Sequence, residues 1–288
     1  MVDHQHSADE GEAAEASAAT LRPITLAITN DPDHGRTDPV RKVCTQLARA
    51  GLRITLGAFC VMEDDGSALA RHCHAGETDA LCQPAYRDLL LALRDDGHEI
   101  AFHGYSQVSN TREKFAEGLE IFRDVFGEYP FTYIEHGGHP ARHPPGMCKR
   151  EALAVEGKMP GSSHYVWDLI QEKIRCAWVR QELIDDDLSP RNASELLCRD
   201  GGTVFFRRYR MHYLDRMLPA LGSQGGVFIG YTHFGYTGYP RMAEYALERW
   251  TGWRPPALRR LRRMLDGHHV RTMTVREIVE RAAREGEV

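Results

Sequence analysis

Short runs of β-type residues alternate with helical stretches along almost the whole chain, and this alternation constrains the fold more than any other feature. Residues 21–29 and 99–102 are strand-like, whereas residues 111–126 carry apolar side chains at helical spacing. Strands that alternate with helices of about 10–15 residues are typical of βα units and a parallel sheet. Roughly seven such units fit a barrel of about 250 residues better than an open sheet. The sequence therefore predicts an α/β barrel.

Composition argues against a nucleic-acid-binding protein and a membrane protein, and it indicates where the folded domain begins. The chain has 288 residues, 36 Lys and Arg, 41 Asp and Glu, and a formal net charge of −5, which argues against nucleic acid as the main partner. No apolar run has the roughly 18 residues of a membrane helix, so no membrane span is expected. Residues 1–20 contain no Lys or Arg, and we predict a disordered acidic and Ala-rich tail there, with one domain over residues 21–288.

Cysteine usage indicates the compartment. Seven cysteines, an odd number without a CxxC pair, predict reduced thiols and not a disulfide framework. The N-terminal stretch lacks the basic start and apolar core of a signal peptide. Both observations predict a cytoplasmic protein, and neither bears on the oligomeric state.

Polar and titratable side chains directly follow several of the predicted strands. In a parallel α/β barrel all strand carboxyl ends face the same side, where active sites form. Acidic and imidazole groups at that side are metal ligands and acid–base groups by type. Those found at the strand ends are Asp31, Asp33, His103, Glu135, His136, His139 and His233.

Residues 97–103, which read GHEIAFH, resemble the GHEIxxH signature of the polysaccharide deacetylases, also known as the NodB-homology or carbohydrate esterase family 4 group. Other landmarks follow in that family's order. Residues 51–59 (GLRITLGAF) resemble its second strand, residues 228–233 its late strand ending in histidine, and residues 270–280 its terminal strand and Thr-capped helix. The resemblance covers about residues 22–283 and implies a distorted (β/α)7-type barrel in a single domain.

The resemblance also implies a reaction and site residues. The family removes N-acetyl or related acyl groups with one divalent metal. Transferred by position, Asp31 is the general base, Asp33 and His103 bind the metal, and His233 is the general acid. A shift of one residue would instead place Asn30 at the base position and make Asp31 the ligand. Zn²⁺ is the expected metal, with Mn²⁺, Co²⁺ and Ni²⁺ as alternatives.

The chain departs from the family pattern at two motifs. Gln107 occupies the position of the second metal histidine, and residues 134–140 (IEHGGHP) lack the arginine that would orient the base. Two histidines appear there instead. We hypothesise that His136 or His139 replaces the missing ligand, and that Glu135 supports the site or acts as an alternative base.

The predicted function is metal-dependent removal of an N-acetyl-type acyl group from an amino sugar, a glycoconjugate or a small glycosylated metabolite, with Gln107 and Tyr231 as candidate substrate contacts. Two alternatives remain open. One is an amidase of the same fold, with or without metal, acting on another C–N bond. The other is a non-catalytic barrel that binds a sugar or a protein.

Overall fold

The computed structural model describes residues 22–73, 75–137, 149–179, 183–184, 187–234, 265–266 and 268–288. Its strands are β1 (Ile24–Asn30), β2 (Thr55–Ala58), β3 (Glu99–Phe102), β4 (Thr132–Ile134), β5 (Cys176–Trp178), β6 (Leu183–Ile184), β7 (Leu197–Asp200), β8 (Thr203–Phe206), β9 (Arg208–Arg210), β10 (Gly226–Thr232) and β11 (Val270–Thr272). Its α-helices are α1 (Thr37–Arg49), α2 (Ala68–Cys73), α3 (Pro84–Asp95), α4 (Arg112–Phe126), α5 (Trp167–Lys173), α6 (Ala193–Leu196), α7 (Leu214–Gln224) and α8 (Val275–Glu285).

The described strands form one sheet in the order β6-β9-β10-β1-β2-β3-β4-β5-β8-β7, with β11 beside β1. All neighbouring pairs are parallel except β7 and β8, which are antiparallel. The predicted α/β fold with a parallel sheet is confirmed. A distorted barrel is compatible with this order, and within the described residues the hydrogen-bonded path ends at β6 on one side and β7 on the other.

Local sequence explains where the elements begin and end. β1 reads ITLAITN with six of seven residues buried, as expected for a central parallel strand covered on both faces. Helix α4 is capped at its start by Thr111, whose hydroxyl accepts from the Lys114 amide, and at its end by Gly127, with a φ of 81°. Thr274 and Glu277 form a capping box at the start of α8.

The core lies between the sheet and the helices. Cys44, Cys60 and Cys176 are fully buried free thiols. Within the described ranges, no helix is both long and apolar enough to cross a membrane. The predicted tail at residues 1–20 lies outside the described residues, and the single-domain assignment stays a prediction.

The sheet order brings the sequence-predicted site together. β10, β1, β2, β3 and β4 are successive parallel neighbours, so the residues that follow β1, β3, β4 and β10 all leave the same edge of the sheet. That edge is the one at which the polar side chains were expected to meet.

Candidate metal centre

Three side chains converge at the carboxyl edge of the sheet. Asp33, His103 and His136 each offer one ligand atom, and these atoms lie within 4.8 Å of one another. Nδ1 of His136 is 2.8 Å from Oδ1 of Asp33 and 3.3 Å from Nε2 of His103. The structure thus brings together three of the four predicted ligands, and the fourth, His139, lies outside the described residues.

The spacing and protonation of this trio fit a divalent ion. Two ligand atoms about 2.0–2.1 Å from one ion lie about 3.3 Å apart in a tetrahedral site and about 2.9 Å apart in an octahedral one. Burial lowers the pKa of His103 to about 3, so its imidazole is neutral at neutral pH, as a metal ligand must be. Burial acts to raise the pKa of Asp33, but the charges and hydrogen bonds of His136 and His233 outweigh it and hold the pKa well below its usual range.

A tight turn after β1 positions the Asp33 carboxylate. His34, the next residue, has a φ of 55°, which non-glycine residues rarely adopt. The turn is held from outside, because the His34 amide donates to Oγ1 of Thr78 at 2.9 Å and the Asp79 amide donates to the Gly35 carbonyl at 2.8 Å. The stretch between α2 and α3, which contains Thr78 and Asp79, therefore supports the turn that carries Asp33.

Asp31 forms a buried ion pair with Arg208 of β9. The guanidinium donates to both carboxylate oxygens at 2.6 and 2.7 Å and to Oγ1 of Thr29 at 2.9 Å. The Arg208 side chain has no exposed surface, and its Cζ lies 3.5 Å from the centre of the Trp178 ring. Burial acts to raise the pKa of Asp31, yet the charge and hydrogen bonds of Arg208 lower it overall. The carboxylate is thus held ionised in one orientation.

Sequence reasoning missed Arg208. The third motif lacks the arginine that the resemblance led us to expect, and the arginine that the structure places beside Asp31 comes from β9, about 70 residues further along the chain. The sequence carries no clear signal for it, because charged residues at the end of an apolar run such as TVFFRRYR are usually exposed. In the structure Arg207 is exposed and Arg208 is buried, a difference that the run itself does not predict.

His233, Gln107 and Tyr231 surround the two aspartates. Nε2 of His233 is 3.2 Å from Oδ2 of Asp33 and 3.9 Å from Oδ2 of Asp31. Nε2 of Gln107 donates to Oδ1 of Asp33 at 3.2 Å. The Tyr231 ring lies 6.0 Å from the His233 ring and 4.7 Å from Cζ of Arg208. These predicted site residues are therefore gathered in one place, and their individual roles stay predictions.

Asn30 and Glu135 lie at the ends of β1 and β4. Oδ1 of Asn30 accepts a hydrogen bond from the backbone amide of Phe234 at 2.8 Å. Oε1 of Glu135 accepts from the Leu153 amide at 2.8 Å, and the side chain is buried. The sequence left open whether Asp33 or Asp31 is the metal ligand. The position of the Asp33 carboxylate beside His103 and His136 favours Asp33.

Comparison with known proteins gives low similarity. No protein-family model and no curated protein matches the chain. Among solved structures, the chain is similar to the peptidoglycan deacetylase PdaC from Bacillus subtilis, at a TM-score of 0.39 and 11% identity, covering 93% of this chain and 96% of that one. It is also similar to a family 4 acetyl xylan esterase from Clostridium thermocellum solved with a cobalt ion, at 0.39 and 11%, covering 91% and 92%.

A GH57-type branching enzyme from Pyrococcus horikoshii gives a TM-score of 0.46 at 11% identity, covering 90% of this chain and 70% of that one. The solved structures to which the chain is similar thus include a peptidoglycan deacetylase, an acetyl xylan esterase and a branching enzyme. A sequence identity of 11% does not identify the reaction that this chain catalyses, which has to be inferred from the residues of the site.

Proposed function

We propose that this protein is a metal-dependent hydrolase that removes an N-acetyl-type acyl group from an amino sugar, a glycoconjugate or a small glycosylated metabolite. One observation carries the proposal: the Asp33, His103 and His136 ligand atoms meet within 4.8 Å. Catalytic metal sites typically have three protein ligands and a further position for water or substrate. A buried carboxylate and an imidazole stand beside them, as hydrolysis requires.

A bound divalent ion would polarise the acyl carbonyl and lower the pKa of water. The role of Asp31 in this reaction is to accept a proton. Although Arg208 occupies one direction at each oxygen, an ionised carboxylate has about four lone-pair sites, and others remain for the attacking water. Arg208 acts as a positioning residue, because it orients the carboxylate and keeps it ionised. Glu135 is the alternative base.

His233 is placed to protonate the leaving amine. Its Nε2 lies within 4 Å of both aspartates, and an imidazole can take up a proton at one ring nitrogen and donate it again. Transfer of that proton to the amine as the C–N bond breaks gives a free amine and a carboxylate as products. Tyr231, beside this imidazole, is the candidate contact for the sugar ring.

Acetate release tests the proposal. Protein reconstituted with Zn²⁺, Mn²⁺, Co²⁺ or Ni²⁺ is incubated with N-acetylglucosamine, its uridine diphosphate ester and chitobiose, and acetate is followed by proton NMR. We expect release by wild type, loss on treatment with a chelator, and loss in His103→Ala and Asp31→Asn. His98→Ala is the matched control, because this buried histidine lies at the opposite end of β3 and accepts from the Ile54 amide.

The outcomes separate the proposal from its alternatives. Activity that survives chelation and His103→Ala would indicate a metal-free amidase and contradict the proposed reaction. Binding of the sugars without turnover under every metal would indicate a non-catalytic barrel. Equal losses in His98→Ala and His103→Ala would show that the effect reports stability and not the metal centre.

A further inference from the structure

We propose that Phe59, the residue that directly follows β2, fixes the orientation of both histidine ligands of the metal centre. The inference rests on the proposed metal centre and assigns a positioning residue to it. Phe59 is 1% exposed. The centre of its ring lies 4.9 Å from that of His103 and 5.4 Å from that of His136, with interplanar angles of 75° and 79°.

The ring of His103 has no hydrogen bond that would fix its orientation from behind. Histidine ligands are usually oriented by a hydrogen bond at the ring nitrogen that does not bind the metal. Nε2 of His103 faces Nδ1 of His136 at 3.3 Å, which leaves Nδ1 of His103 as that second nitrogen. Among the residues that the structure describes, this Nδ1 is buried without a hydrogen-bond partner. The orientation of the ring therefore depends on packing.

The three rings form a compact group in which each contacts the other two. The rings of His103 and His136 lie 5.2 Å apart at an interplanar angle of 66°, so all three contacts are close to perpendicular. Aromatic rings about 4.5–7 Å apart prefer this edge-to-face arrangement, because the ring edge is positive and the ring face negative. Rotation of either imidazole would lose a favourable contact with Phe59.

Phe59 is itself held in place by its surroundings. Its carbonyl accepts from the Leu81 amide at 3.0 Å. Nζ of the buried Lys149 lies over its ring, 5.6 Å from the centre, and donates to the Ser106 carbonyl at 2.8 Å. The phenyl ring is therefore a fixed support against which both imidazoles pack.

The position of Phe59 in the sheet explains how one side chain reaches two ligands. β1, β2, β3 and β4 are successive neighbours, and the proposed ligands Asp33, His103 and His136 follow β1, β3 and β4. Of these four strands, β2 supplies no proposed ligand. The residue that follows β2 supplies the aromatic ring that the two imidazoles share.

Three variants test the assignment. Phe59→Leu removes the ring and keeps an apolar side chain, and Phe59→Met replaces the ring with a long, flexible one. Phe102→Leu is the matched control, because Phe102 is also fully buried, lies in the neighbouring β3 and packs against Phe115 and Tyr133 at 5.2 and 5.9 Å.

Three measurements separate orientation of the ligands from stability of the fold. Urea unfolding of the metal-free proteins gives the cost of each substitution in stability. Competition with a chelator gives the dissociation constant for Zn²⁺. The visible absorption of the Co²⁺-loaded proteins reports the coordination geometry of the ion.

We expect all three substitutions to lower the free energy of unfolding, because each disturbs a packed core. Phe59→Leu and Phe59→Met should in addition weaken Zn²⁺ binding about 10- to 100-fold, the range expected when a residue that orients metal ligands is replaced. Both should also change the Co²⁺ spectrum. Phe102→Leu should bind Zn²⁺ as wild type does and leave the spectrum unchanged.

Zn²⁺ affinities and Co²⁺ spectra of the Phe59 variants equal to those of wild type would overturn the inference and leave Phe59 as a residue of the core. Equal weakening of Zn²⁺ binding in the Phe59 variants and Phe102→Leu would also overturn it, because the loss would then follow stability. In both cases tight binding by wild type leaves the proposed metal centre standing. If wild type binds neither Zn²⁺ nor Co²⁺, the proposed metal centre itself fails, and the inference fails with it.

Discussion

Replacing Arg208 by methionine should destabilise the protein far more than loss of an ordinary ion pair. The guanidinium is fully buried, donates to both oxygens of Asp31 and to Thr29, and lies against Trp178. Methionine is also long and unbranched, so it retains much of the apolar contact. What the substitution removes is the charge opposite a buried carboxylate.

The burial of the ion pair determines how much free energy of unfolding Arg208→Met should cost. Breaking a buried ion pair on one side costs about 3–5 kcal/mol, because the remaining charge is left without a partner. Against a typical free energy of unfolding of about 5–15 kcal/mol, this is a large fraction of the total. The matched control is Arg112→Met, whose bidentate partner Asp168 lies on the surface with both side chains more than one-third exposed. Loss of that pair should cost less than about 1 kcal/mol.

Urea unfolding of the metal-free protein provides the assay, and a double-mutant cycle isolates the pair. We expect Asp31→Asn combined with Arg208→Met to cost at least about 2 kcal/mol less than the sum of the two single changes, because the double variant leaves no buried charge unpaired. A cost below 1 kcal/mol for Arg208→Met, or strict additivity in the cycle, would refute the reasoning.

Three further predictions concern other parts of the structure. Burial raises the pKa of the Glu99 carboxyl above 4.5 despite its hydrogen bonds, so the stability that Glu99 contributes is lost as the pH rises from 4.5 through the pKa of the folded protein. In urea unfolding, the free energy of unfolding of Glu99→Gln relative to wild type should therefore increase from pH 4 to pH 7. A decrease would contradict the raised pKa. A Cβ on Gly57 would lie 2.8 Å from the ring of Pro32, which precedes Asp33, and 3.3 Å from Nδ1 of the ligand His103. Because this contact would displace both ligands, Gly57→Ala should weaken metal binding about tenfold, as measured by calorimetry. An unchanged affinity would show that the turn after β1 adapts to the added methyl group. Chelation should lower the melting temperature of wild type but not of His103→Ala, because only the former gains stability from bound metal; an equal shift in both would place the metal elsewhere.

Much of the fold could be predicted because strand and helix signals are local. The run ITLAITN and the Thr274–Glu277 capping box each specify an element without reference to distant residues. Short elements such as β6 and α6 were not predicted, because two to four residues carry too little periodicity to be distinguished from a loop.

The candidate site was predictable only where the chemistry follows a strand directly. Asp33, His103 and His136 do so, and a parallel sheet then brings them to one edge. Arg208 lies about 180 residues from its partner Asp31, and such a pairing depends on which strands become neighbours, which the local sequence does not encode. The tight turn at His34 and its support by Thr78 were hidden for the same reason.

The most direct test of the metal centre is crystallographic. Crystals of the protein grown with Zn²⁺ or Mn²⁺ are measured on both sides of the metal's absorption edge, which locates the ion by its anomalous scattering. The account predicts one strong peak about 2.0–2.2 Å from side-chain atoms of Asp33, His103 and His136. A peak at other residues, or no peak at this edge of the sheet despite bound metal in solution, would contradict it.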